Sequence, residues 1–73
     1  MKYFITFGQG HKHTIQDKTF DKDCIAVFEA DDYNQARDKA SQLFQDVWCF
    51  IYDENTWKES NLEYFPRGYL EAS

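Results

Sequence analysis

The chain opens on an alternating stretch, "KYFITF" at residues 2–7, with Tyr3, Ile5 and Phe7 on one side and Phe4 and Thr6 on the other. β-branched and aromatic residues at period two, stopped by Gly8, predict a strand. Residues 8–23 are polar and turn-rich, and Ile15 and Phe20 interrupt that polarity. So long a connection is unusual in a small domain. The reading is a loop holding the end of a hairpin, pinned to the body by Ile15 and Phe20. Residues 24–30, "CIAVFEA", are apolar on both faces and predict a second, central strand.

The period then changes. Across residues 31–47, Tyr33, Ala36, Ala40, Leu43, Phe44 and Val47 recur at helical spacing and form one apolar stripe. Gln35, Asp38, Lys39 and Gln42 fall on the wet side. Asp31 or Asp32 supplies the N-cap, whose carboxylate accepts orphan amide hydrogens and complements the helix dipole. Ala36 and Ala40 are small enough to let the helix lie close on a sheet. Residues 48–54, "WCFIYDE", predict a third strand, with Trp48, Phe50 and Tyr52 facing one way and Val47, Cys49 and Ile51 the other. The remaining tail is irregular. Pro66 and Gly68 mark a turn in it, and "GYLE" reads as a short edge strand.

The order strand, loop, strand, helix, strand, tail predicts a single α+β domain over residues 1–73. Its two layers are one helix packed on a three- to four-stranded sheet. The helix is long enough for a right-handed crossover, which makes the second and third strands a parallel pair. The short connection into the third strand leaves an antiparallel arrangement open. One helix covers only one sheet face, yet both faces are apolar. Either Trp57, Leu62, Tyr64 and Phe65 of the tail fold back over the second face, or that face is an interaction surface and a homodimer covers it.

Composition sharpens this picture. The chain has 73 residues, and 19% of them are aromatic: seven Phe, five Tyr and two Trp. Large rings let few residues bury enough area for a small core. Thirteen acidic against eight basic residues give a net charge of −5. That sign argues against general nucleic-acid binding, which needs cations to displace phosphate counterions. It suits a basic protein partner. No apolar run reaches membrane length, and "MKYFITF" turns polar too soon for a signal peptide. The expectation is a cytoplasmic protein, with Cys24 and Cys49 as reduced, buried strand thiols.

Candidate chemistry is sparse. His11 and His13 project to one side of an extended segment, a spacing that suits two imidazoles on one divalent ion. Asp17, Asp21, Asp23, Cys24 and Cys49 are candidates to complete such a site, none at a diagnostic spacing. Histidine is also the residue type most used for general acid–base work, but the chain offers no recognisable nucleophile or orienting partner beside these two. Gly8-Gln9-Gly10 has neither the P-loop lysine nor the length of a dinucleotide loop. It reads as a turn in which glycine supplies positive φ. No enzyme activity and no cofactor are therefore expected. The acids fall in three groups: Asp17-Asp21-Asp23, Glu29-Asp31-Asp32 and Asp53-Glu54-Glu59-Glu63. They are read first as a solvated surface, and next as a carboxylate array that imitates DNA phosphates. In "YFPRG", Arg67 is held between aromatics as a contact for a carboxylate or phosphate.

"MKYFITFGQGHKH", "TFDKDCIAVFEA" and "YFPRG" together resemble a group of short proteins encoded by bacteriophages. The resemblance spans most of the chain and implies a setting, a small non-virion protein in the bacterial host cytoplasm, without implying any catalytic or binding residue. Joined to the charge and size, it gives the functional expectation. The protein is a non-enzymatic acidic module that binds and modulates a host or phage protein, with inhibition of a nucleic-acid enzyme or of host defence as one route. His11, His13, Trp57, Tyr64, Phe65 and Arg67 are the expected contacts. The alternatives are a metal-binding module built on His11 and His13, and a nucleic-acid-binding accessory protein.

Overall fold

The computed structural model describes residues 1–8, 10, 12–15, 17–45 and 48–72. Its elements are β1 (Lys2–Thr6), β2 (His13–Ile15), β3 (Lys18–Phe20), β4 (Cys24–Glu29), α1 (Tyr33–Phe44) and β5 (Phe50–Asp53). A 3₁₀ turn (Glu59–Tyr64) and β6 (Gly68–Glu71) follow. The architecture is α+β, with one helix, a four-stranded sheet in the order β5-β1-β4-β6 and a separate β2-β3 hairpin.

β1 is antiparallel to both β4 and β5, and β6 is parallel to β4. The second and third predicted strands therefore run in the same direction, as the crossover argument requires, but they do not pair. β1 lies between them, with Ile5 opposite both Ala26 and Ile51. A strand apolar on both sides belongs in the interior of a sheet, and β1 meets that condition as fully as β4 does.

α1 begins where Asp32, in extended conformation, accepts the Gln35 N–H at 2.8 Å. Gln35 reaches back to accept the Asp31 N–H at 2.7 Å, so the first turn is tied from both sides. Ala36, Ala40 and Phe44 are buried, and Leu43 is partly so. Tyr33, the first helical residue, is exposed, contrary to the stripe. Val47 lies outside the described residues.

The core between helix and sheet holds Tyr3, Ile5 and Phe7 of the first strand and its extension, with Cys24, Ala26 and Phe28 of β4. Phe44 meets Phe7 and Phe20 edge-on at 5.0 and 5.1 Å. Phe20 is how the hairpin is fixed. The segment read as a loop holding the end of a hairpin contains two paired strands, with Thr14 opposite Thr19, and its apolar residues anchor it as expected.

Two expectations for the third strand change. Trp48 packs on the helix side, with Ile51, whereas Phe50 and Tyr52 occupy the other face. Regular pairing begins at Phe50, so the alternation does not extend back to Trp48. Cys24 is buried but Cys49 is exposed, and both thiols are free. The glycine turn is also displaced. Gly68 is the glycine at positive φ (72°) among the described residues, in the turn after Phe65, whereas Gly10 is not. No described helix is long and apolar enough to cross a membrane.

Candidate binding groove on the second sheet face

β5 and β6 lie at opposite edges of the sheet and run in the same direction, so the chain between them must cross the sheet. α1 occupies one face. Residues 54–67 cross the other.

The crossing starts at a tight reversal. The Asp53 carboxylate accepts the Asn55 N–H, the Thr56 N–H and the Thr56 hydroxyl at 2.9, 2.9 and 3.0 Å. Those donors, the Thr56 amide first, hold the Asp53 carboxyl below its ordinary range. The Trp57 N–H then donates to Asp53 O at 2.9 Å, which turns the indole onto the sheet. Trp57 stacks on Phe4 (5.3 Å between centroids, 14° between planes) and tilts against Tyr52, Phe65 and Tyr69. Its Nε1–H donates to the Tyr69 hydroxyl at 2.9 Å, so its polar edge is satisfied while only 9% of the residue is exposed.

A second fastening closes the crossing. The Gly68 N–H donates to Phe65 O at 2.9 Å across Pro66 and Arg67, a β-turn with proline where its fixed φ fits. Arg67 Nη1 donates to Thr19 O at 2.8 Å and pairs with Asp21 at 3.2 Å, and its own N–H donates to Asp23 O at 2.8 Å. The Asp23 N–H, and next the Arg67 guanidinium, hold the Asp21 carboxyl low against the opposing effect of partial burial. Arg67 thus joins the tail to the hairpin.

Between these two fastenings the cover is incomplete. An open groove of about 550 Å³ is lined by Phe50, Tyr52, Trp57, Tyr64 and Phe65. Cys49 lies at its β5 side, and Thr6, Phe7, Gly8, Asn61, Lys22 and Asp23 complete it. Phe50 and Tyr64 are 59% and 69% exposed, so the groove keeps large rings in water. Lys22 and Asp23 pair with each other at 2.9 Å. The 3₁₀ turn that supplies Asn61 and Tyr64 also carries Glu59 and Glu63, both exposed. The lining is mainly aromatic, with two acids exposed on the turn beside it, and such a surface can offer stacking, apolar burial and cation–π attraction.

The expected contact residues separate into three places. Trp57, Tyr64 and Phe65 come together here. His13 lies on the helix side of the sheet, half-buried with its ring edge-on to Phe44 at 5.8 Å. Arg67 meets a carboxylate, as its setting suggested, but one belonging to this chain. His11 lies outside the described residues. Among the described residues no three His, Cys, Asp or Glu side chains converge to hold a metal. The acidic groups are also divided by role: Asp32 caps the helix, Asp53 and Asp21 shape turns, and Glu54 accepts the Lys2 N–H at 2.6 Å. Sequence reasoning missed Phe50, Tyr52 and Cys49 as groove residues. The alternation of "FIYD" carried the signal for the first two, obscured by grouping Trp48 with them. The burial of Cys24 pushes its thiol up and away from thiolate chemistry.

Comparison with protein-family models, with curated proteins and with solved structures gives no match.

Proposed function

We propose that the chain is a non-enzymatic binding module that docks on a host or phage protein through the aromatic groove and modulates it. One observation carries this reading: the two most exposed rings, Phe50 and Tyr64, gathered with Tyr52, Trp57 and Phe65 in one concave place, on the sheet face that the tail crosses. A fold able to bury Trp57 leaves Phe50 and Tyr64 in water at a cost in apolar burial, and such patches usually mark contact sites. Aromatic residues set in a groove are the residue type that dominates protein interfaces. The bacteriophage resemblance supplies the setting, and the acidic charge favours a basic surface on the partner. Inhibition of a nucleic-acid enzyme is one form such modulation would take.

The test is affinity capture from bacterial lysate with the intact chain and with a Phe50→Ser, Tyr64→Ser double variant. A protein retained by the first and lost by the second supports the reading. Equal capture by both, or none by either, removes the groove as the contact.

A further inference from the structure

The sheet has two edges, and they are treated differently. Hydrogen-bond parity fixes which main-chain groups face each edge. The Ala30 N–H donates to Met1 O at 3.0 Å, so odd-numbered residues of β1 bond to β4 and even-numbered residues face β5. Phe50 and Tyr52, opposite Thr6 and Phe4, therefore direct their main-chain groups to β1. Ile51 and Asp53 direct theirs outward, where Thr56 Oγ1 takes the Asp53 N–H at 3.0 Å. The main-chain groups of Ile51 are left facing an edge that no described strand occupies. On the far edge, the Ala72 N–H donates to Val27 O at 3.0 Å, so Glu71 O points outward, and Lys18 Nζ caps it at 3.0 Å.

Proteins commonly blunt open edges with lysine, proline or a covering segment. β6 has its lysine. β5, "FIYD", has neither lysine nor proline, and its exposed Phe50 and half-buried Tyr52 both line the groove. A segment added along β5 would present alternate side chains on the Phe50 and Tyr52 side, above the groove. Asp53 and Glu54 close the end of the strand and Glu59 and Glu63 lie on the crossing; of the cations nearby, Lys22 is paired with Asp23 and Arg67 with Asp21, which leaves Lys58 against these acids.

We propose that β5 is a docking edge for an extended, cationic segment of a partner protein. The segment adds as a further strand through the main chain of Ile51 and seats alternate Lys or Arg side chains against Phe50, Tyr64 and the acids of the crossing. Main-chain pairing supplies affinity in such additions, and the pockets on one side supply specificity. The inference rests on the groove being a protein-docking site and specifies how the partner engages it. A second copy of this chain fits the edge less well, since each copy carries a net charge of −5.

The test is selection of binders from a random library of short linear peptides on the intact chain, followed by amide hydrogen exchange with the best binder. Enriched peptides are expected to carry Lys or Arg at alternate positions and to slow exchange at Ile51. Main-chain N-methylation on the edge-facing side of the peptide abolishes binding. A Glu59→Lys, Glu63→Lys variant, altered only at exposed positions, binds about ten-fold more weakly at low salt. Enrichment of neutral or acidic peptides, indifference to N-methylation, or no enrichment overturns the proposal, as does protection of Ile51 by self-association without peptide. If lysate capture still depends on Phe50 and Tyr64 while Ile51 stays unprotected, strand addition falls and the docking function stands.

Discussion

Replacing Trp57 with alanine tests whether the crossing segment is packed on the sheet. Trp57 is 9% exposed, so folding removes nearly all of its side chain from water. A Trp side chain buries about 200 Å², and at about 25 cal/mol per Å² that is worth about 5 kcal/mol as an upper estimate. Alanine retains the β-carbon, and the open groove lets neighbouring rings relax, which brings the expected loss to about 3 to 4 kcal/mol. The Tyr69 hydroxyl loses its indole partner but is exposed enough to be rehydrated, adding little. A domain of this length has a total stability of about 4 to 11 kcal/mol, so the variant loses a large part of it. Urea unfolding followed by circular dichroism reads the change, and the melting temperature is expected to fall by about 15 to 25 °C. Trp57→Phe, which keeps the stack on Phe4 and gives up the hydrogen bond, loses about 1 to 2 kcal/mol. A loss below about 1 kcal/mol for the alanine variant would mean that the indole is not seated on Phe4 and that the second face is not covered as described.

Other consequences follow from single contacts. Arg67→Ala removes the Nη1 hydrogen bond to Thr19 O and a partly exposed ion pair with Asp21 while keeping the main-chain bond to Asp23 O, and is expected to lower stability by about 1 kcal/mol in urea unfolding. Gln45 closes α1 at φ 55°, ψ −121°, a conformation costly for any side chain, so Gln45→Gly is expected to raise stability by about 1 kcal/mol despite glycine's entropy. Asp21 and Asp53 both titrate below their ordinary value of 3.8 in the folded chain. Their contribution is complete above that value and is lost as pH falls through the depressed folded values. Asp53→Asn is therefore less stable than the parent at neutral pH, and the gap closes on acidification; a gap constant down to the acid transition would contradict the hydrogen-bonded turn.

Much of the fold is legible along the chain, because period two and period 3.6 are local signals. β1, β4, α1 and β6 follow from spacing, and the Asp32 cap follows from chemistry. Pairing order is less legible. Nothing local in "KYFITF" says that it will separate β4 from β5, since that choice belongs to the sheet as a whole. The hairpin of β2 and β3 is legible only as the end of a hairpin within a loop, because its residues are mostly polar and Ile15 and Phe20 are the clues. For the site, the tail aromatics Trp57, Tyr64 and Phe65 were readable as cover for an unpartnered face. Which of them would be buried was not, because that depends on the Asp53 reversal turning Trp57 inward and leaving Tyr64 at the rim. Arg67 was read from its neighbours in sequence, whereas its partners, Thr19 and Asp21, are distant along the chain and reach it only through the hairpin.

The central claim is that the rings left exposed beside the crossing segment form the contact surface for a protein partner. The most direct measurement is affinity capture from bacterial lysate by the intact chain beside its Phe50→Ser, Tyr64→Ser variant, each first shown to unfold at the same urea concentration. Both positions are exposed, so their replacement is expected to change stability by no more than about 0.5 kcal/mol each. The account predicts one protein held in near-equal amount by the parent chain and released by the variant. Capture of that protein to the same extent by both chains would contradict it.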